Sequence, residues 1–229
     1  MKNILIFGDS NSWGYDYTTY DPQLGIAKRM AFAERWPGRL QTLLGAGYRI
    51  IENCLNARTN VMADPYFPNR VGLTSFQIAL DANAPLDMVV IQLGCNELKH
   101  MFNLTAGMIV LGVEKLVLEA KKSYYGYPVP QILVIAPHPT HPKISEMIYG
   151  FSFGAEAYKK SLEFSRLYEE MSIRQGVDFL DCAPLRFELN ALDGLHYSTD
   201  DHRKLAEAAQ RKIQSMTEQS AADVIGTAG

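Results

Sequence analysis

Five short runs rich in Ile, Val and Leu punctuate the chain, at residues 3–7, 48–52, 88–93, 131–136 and 177–180. None alternates cleanly between apolar and polar residues, as a strand with one wet face would. Such runs are strands buried on both faces. Helical stretches lie between them, so the pattern predicts an α/β chain with five parallel strands and helices covering each side of the sheet.

The helical expectations follow from spacing and end signals. "RWPGRLQTLLGAG" predicts a helix opening at Pro37, with Leu40, Leu43 and Leu44 on one face and Gly45 near its stop. Further helices are expected over 74–83, over 105–123, where Val110, Val113, Leu116 and Val117 recur at helical spacing, and over 155–175 before Gly176. The last helix is expected after "STDD", in which Ser198 and Asp201 have capping-box spacing. "SAADVIGTAG" has little to pack with, so residues 1–216 read as a single domain and 217–229 as a C-terminal tail. The segments 15–35, 53–72 and 137–154 read as irregular. Each follows a strand's C-terminal end, the edge at which open α/β sheets bind ligands.

Composition narrows the class. With 229 residues, 47% of them hydrophobic, and a net charge of -3, the chain can enclose one substantial core. Its Lys and Arg residues are scattered, so neither nucleic acid nor an anionic membrane is an expected partner. The start "MKNILIFGDS" has too short an apolar run for a signal peptide, and no stretch approaches the roughly 18 apolar residues of a membrane span. Cys54, Cys95 and Cys182 are widely separated without a C-x-x-C pair, so neither a disulfide framework nor a zinc site is indicated. The expectation is a cytoplasmic protein with reduced thiols that acts on a small neutral or weakly polar molecule.

The chemistry concentrates at strand ends. "GDSNSWG" follows the first strand and projects Ser10 at the C-terminal edge of the sheet. A serine alone is a poor nucleophile and needs a base within hydrogen-bond reach. In "DGLH", Gly194 permits a tight turn through which Asp193 can orient the imidazole of His196, leaving the other ring nitrogen to face Ser10. Asn96, just past the third run, can offer a side-chain amide to an oxyanion, with backbone amides of Ser10 and of the loop after the second run as further donors.

The ordered set "GDSNSWG", "LNARTN", "LGCNELK" and "DGLH" resembles the SGNH, or GDSL-type, hydrolase family, and more narrowly its bacterial arylesterase and acyltransferase-like branch. "ERWPGRL" and "GVDFLDCA" look like non-catalytic landmarks of that branch. The resemblance implies a three-layer α/β/α sandwich of flavodoxin-like type and an esterase that needs no cofactor or metal. It also implies roles: Ser10 as nucleophile and oxyanion donor, the Ala57 backbone amide and Asn96 side chain as further donors, and Asp193 and His196 completing the triad. Asn11, Trp13, Asn56, Phe153 and Leu195 are the expected substrate-binding residues. Three positions in two of the blocks depart from the family pattern. Ala57 stands where glycine is usual; its backbone amide is what matters, so function survives there if φ stays below zero, whereas a left-handed backbone would be strained. Cys95 and Glu97 replace the threonine and aspartate of the usual "GTND".

Other features yield to simpler readings. His138 and His141 in "PHPTHP" have no Cys or carboxylate partners and read as a rigid pocket wall or interface loop rather than a metal site. Asp9 lacks the D-x-D pattern of a phosphoryl acceptor and more simply orders the turn, and no motif supplies Cys95 with a base. Trp13, Tyr15 and Tyr17 either wall an acyl or alcohol pocket or cover the sheet end. The apolar segment 141–153 either folds over the site as a lid or buries against another subunit. The resemblance favours a homo-oligomer. The expected function is hydrolysis of small carboxylic esters through an acyl-Ser10 intermediate, with acyl transfer to an alcohol as an accompanying activity. The alternative is a catalytically degenerate protein of the same fold that binds a small ligand.

Overall fold

A computed structural model of the chain describes residues 1–226, with side chains to residue 219. In chain order its elements are β1 (Lys2–Gly8), α1 (Ser10–Trp13), β2 (Tyr15–Asp21), β3 (Ile26–Arg29), α2 (Trp36–Leu44), β4 (Tyr48–Cys54), α3 (Gly72–Asn83) and β5 (Met88–Gln92). They continue with α4 (Ala106–Ala120), β6 (Gln131–Ala136), α5 (Gly150–Phe153), α6 (Glu156–Leu162), α7 (Phe164–Gln175), β7 (Asp178–Asp181) and α8 (Thr199–Gly226). The five expected strands form one parallel sheet in the order β4-β1-β5-β6-β7. The order reverses direction around β1, and the crevice beyond the ends of β1 and β5 is where such sheets place ligands.

Two separate cores explain the missing alternation. Ile4, Ile6, Met88, Val90, Leu133 and Ile135 face α2 and α8, where they meet Trp36, Leu40, Leu205 and Ile213. Their neighbours Leu5, Phe7, Val89, Ile91, Ile132 and Val134 face α3, α4 and α7 and meet Phe76, Ile109, Val113 and Met171. Each such side chain contributes about 1.5–3 kcal/mol by leaving water, so a polar residue at either parity would be costly. The sheet therefore has chemistry only at its ends.

The starts of α8 and α4 carry side-chain caps from the residue just before the helix, and that of α2 is capped from a distance. Ser198 and Asp201 form the expected reciprocal cap: the Asp201 N–H donates to Ser198 Oγ at 3.2 Å and the Ser198 N–H to Asp201 Oδ2 at 3.0 Å. The helix consequently begins at Thr199, inside "STDD" rather than after it. Thr105 caps α4 through the Met108 N–H. Arg35 gives α2 no side-chain cap; instead, Nδ1 of the buried His202 on α8 accepts the Trp36 N–H at 3.1 Å. Burial holds His202 down at about 3, which keeps the ring neutral and able to accept.

Three expectations are corrected. Residues 15–35 are not irregular throughout, because β2 and β3 pair as an antiparallel hairpin outside the main sheet. The single helix expected over 155–175 is two, parted where the Glu163 N–H bonds to the Lys160 carbonyl three residues back. Residues 217–226 of the expected tail continue α8, and 227–229 lie outside the described residues. Among the described residues no helix is long and apolar enough to cross a membrane.

The capping box has a measurable energy. Ser198→Ala removes the acceptor for one orphan N–H and should lower stability by about 1 kcal/mol in urea unfolding, with the slope against urea unchanged.

Candidate active site

The turn that carries Ser10 is built by its neighbours. β1 ends at Gly8, and a Cβ there would lie 2.3 Å from Ser12 Oγ, so a side chain is excluded. Asp9 caps the single turn of α1 by accepting the Asn11 N–H at 2.9 Å, and the Gly14 N–H closes the turn on the Ser10 carbonyl. The Ser12 hydroxyl donates to Gln92 Oε1 at 2.5 Å on β5, which ties the turn to the neighbouring strand. Asp9 is buried with its Oδ2 unpartnered among the described residues, and burial pushes its carboxyl up to about 6 despite the Asn11 N–H.

Ser10, His196 and Asp193 form one hydrogen-bonded chain. His196 Nε2 lies 2.9 Å from Ser10 Oγ, and its Nδ1 lies 2.8 Å from Asp193 Oδ2. Asp193 Oδ1 accepts the N–H groups of Leu195 and His196 and the amide of Asn190. Burial opposes the charge on Asp193, but the His196 ring and these N–H groups hold its carboxyl below the ordinary range. With Nδ1–H donated to Asp193, Nε2 is left as an acceptor toward the hydroxyl, the tautomer that proton removal from Ser10 requires. Gly194, at φ 64°, turns the loop, and a Cβ there would meet Met147 Sδ at 2.5 Å and His141 Cβ at 2.6 Å.

Two further candidate donors lie in the chain's second and third blocks, past the ends of β4 and β5, the strands that flank β1. Asn96 opens a short 3₁₀ turn after β5; one N–H of its buried amide goes to the Arg58 carbonyl at 3.0 Å, and a second remains to offer. The N–H groups of Ser10 and Ala57 have no acceptor among the described residues. Ala57 has φ 58°, the left-handed conformation that strains an alanine. A left-handed alanine costs about 1–2 kcal/mol and persists only where its surroundings over-determine it. They do so here: the Arg58 carbonyl is held by Asn96, and Glu97 accepts the Asn60 N–H. The replacement of aspartate by the longer glutamate thus has a partner.

The other expected residues divide. Asn11 is buried; its side-chain amide donates to the Leu195 carbonyl at 3.3 Å and accepts the Tyr197 N–H at 3.1 Å, joining the serine turn to the histidine loop. Phe153 and Leu195 are buried and belong to the core beside α3, α4 and α7. Trp13 and Asn56 are half-buried, and Arg29 covers the Trp13 ring at 5.3 Å. His138 is engaged within the chain through Pro139 and Phe187, and His141 through Lys143. Tyr15, from β2, stacks on the His196 ring with centroids 4.0 Å apart, and its hydroxyl meets that of Tyr149 at 2.7 Å. Asn190 and Arg58 escaped the sequence reading, and Tyr149 entered it only as part of the apolar segment 141–153. Only Asn190 left a local signal, an Asx turn three residues before Asp193.

Fold and geometry together define a hydrolase of the serine type, with its reactive hydroxyl at the C-terminal edge of a doubly wound sheet. No family model matches the sequence, and no curated protein matches it. Solved structures do. The chain is 33% identical to a carbohydrate acetylesterase from Sinorhizobium meliloti, with a TM-score of 0.85 over 94% of this chain and 100% of that one. It is 31% identical to the native aryl esterase of M. smegmatis, with a TM-score of 0.85 over 94% and 99% of the two chains. A lipase/acylhydrolase from Enterococcus faecalis, 17% identical with a TM-score of 0.67, shares the fold. The chain belongs to the SGNH (GDSL-type) hydrolase family and is a carboxylic ester hydrolase.

Burial raises the Glu97 carboxyl to about 8, against the Asn60 N–H that favours its charge. The folded protein therefore keeps a proton that the unfolded chain releases above the ordinary carboxylate range, and stability falls as pH rises toward 8. His202, held low by burial, works in the opposite direction as the unfolded chain's imidazole loses its proton near 6.5, so the comparison of wild type with Glu97→Gln isolates the Glu97 contribution. Urea unfolding between pH 6.5 and 8 should show this decline in the wild type and a flatter profile in Glu97→Gln; equal slopes would contradict a protonated Glu97.

Proposed function

We propose that the enzyme hydrolyses short-chain esters, acetyl esters of aryl alcohols or carbohydrates foremost, through an acyl-Ser10 intermediate. The observation that carries this reading is the continuous chain from Ser10 Oγ through His196 to Asp193, at 2.9 and 2.8 Å. In acylation, Ser10 Oγ forms a bond to the ester carbonyl carbon as its proton passes to His196 Nε2. The carbonyl oxygen becomes an oxyanion that receives the Ser10 and Ala57 N–H groups and the Asn96 amide. Collapse breaks the bond to the alcohol oxygen, which takes the proton from Nε2. A water molecule then gives its proton to Nε2 and attacks the acyl-enzyme, and the second oxyanion collapses, breaking the bond to Ser10 Oγ as Nε2 returns its proton to that oxygen, to release the acid and free Ser10. Asp193 keeps the ring oriented and offsets the positive charge it acquires in each step.

Acyl transfer to an alcohol accompanies hydrolysis in this reading. Its support is the packing of Tyr15 on one face of the His196 ring and of Tyr149 toward its edge, at 6.1 Å between centroids, which limits water around the base. The protein is further proposed to be cytoplasmic and to act as a homo-oligomer, since Phe151 is 80% exposed and Tyr66 79%, on segments that follow the sheet's C-terminal edge.

A fluorophosphonate probe should label the wild type covalently, with labelling abolished in Ser10→Ala and weakened in His196→Ala. Esterase turnover should drop by about 10⁴-fold or more in each. Labelling of Ser10→Ala at the wild-type rate would remove the acyl-Ser10 assignment. Along a p-nitrophenyl ester series the rate should be highest for acetate and fall with acyl length. Added alcohol should divert product from acid to ester; a constant acid yield would exclude the transfer activity.

A further inference from the structure

Arg58 is buried, 3% exposed, on a segment otherwise devoted to the second candidate donor, and it takes no part in the proton transfers. Its guanidinium Nη1 donates to the Gly8 carbonyl at 3.1 Å and to the Asn53 carbonyl, and Nη2 donates to Asn53 Oδ1 at 2.9 Å. The cation also lies 3.9 Å over the ring of Phe7. One side chain thus grips the last residue of β1, two positions before Ser10, and the end of β4. The backbone of the same residue acts too: its carbonyl accepts the Asn96 amide at 3.0 Å, and its N–H closes a turn on Leu55. Ala57, with its left-handed φ, is the preceding residue.

From this geometry we infer that Arg58 is a positioning residue for the oxyanion hole, holding the Ser10, Ala57 and Asn96 donors in one fixed relation by bonding to the chain beside each of them. The inference rests on the proposed reading of those three groups as donors. The chemistry explains why arginine suits the position. A planar guanidinium with five N–H donors can satisfy a carbonyl on each of two strands and a side-chain amide together, whereas an ammonium on a flexible stem cannot hold that fixed fork. The demand on precision is high, because oxyanion donors act only when aimed at the oxygen of the transition state, and small misplacements lose much of their effect. Burial lowers the Arg58 cation to about 10, with the charge of Asp9 among the influences opposing that shift, so it remains charged at neutral pH.

The test compares Arg58→Lys, Asn53→Ala and Asn96→Ala, each checked for cooperative thermal unfolding. Measurements are kcat and KM on p-nitrophenyl acetate and inhibition by a trifluoromethyl ketone, which forms a tetrahedral oxyanion with the serine. Arg58→Lys should lower kcat by about 10²-fold with KM changed less than threefold, and weaken the ketone by a matching factor. Asn53→Ala, which removes one acceptor of the fork and leaves the arginine in place, should produce the same pattern at about tenfold or less. A purely structural role would lower the unfolding temperature without the matched loss of kcat and ketone affinity. The inference is overturned if folded Arg58→Lys keeps both within threefold of wild type while Asn96→Ala loses them. Should Arg58→Lys fail to fold, wild-type values for Asn53→Ala overturn it. If Asn96→Ala itself retains full kcat and ketone affinity, the donor reading fails and takes the inference with it.

Discussion

Burial of both faces of the parallel sheet is the constraint from which the rest of the molecule follows. With Ile4 and Ile6 committed to one core and Leu5 and Phe7 to the other, β1 has no free side-chain position until it reaches Gly8. Polar chemistry is therefore confined to the residues just past the strands. Ser10 follows β1, Ala57 follows β4 and Asn96 follows β5, and those three strands are adjacent in the sheet. The rigid ladder brings to one place three groups that the sequence separates by about forty residues each. Only the histidine loop needs a separate tether, which Asn11 provides by bonding to Leu195 and Tyr197.

The balance of forces at the site favours order over local stability. Asp9 and Glu97 are buried carboxyls whose ordinary charge is opposed by desolvation, and each has an oxygen with no partner among the described residues. Ala57 adds backbone strain. A few kcal/mol of unfavourable terms within one small region is a common condition of functional sites, and the two apolar cores are large enough to offset it.

What the sequence made legible follows physical range. The three central strands were readable because doubly buried strands carry a distinct local composition, and the half-buried edge strands β4 and β7 were readable from their own short apolar runs. Ser10, Asp193 and His196 were readable because their motifs are short and ordered along the chain. The β2–β3 hairpin was not, since past the buried Tyr15 the rest of "YDYTTYD" is half-buried or exposed and Ile26–Arg29 is largely exposed, so neither strand carries an alternating burial pattern. The break at Glu163 is one tightened hydrogen bond inside a continuous amphipathic stretch, which periodicity does not register. Asn11 adjoins the nucleophile in the chain, while the hydrogen-bond partners of its amide lie 184 and 186 positions away. Arg58 joins groups 50 and 38 positions distant, and no local pattern announces such a residue.

The seating of residues 141–148 against the histidine loop has a mechanical consequence. The His141 N–H bonds to the Gly194 carbonyl, the Ile148 N–H bonds to the Leu192 carbonyl, and Met147 and His141 fill the space where Gly194 lacks a side chain. Lifting this flap would pull on the very backbone that aims the imidazole. It therefore behaves as a fixed buttress rather than a gate, and any breathing that admits a bulky ester from that side would disarm the base as it opened the door.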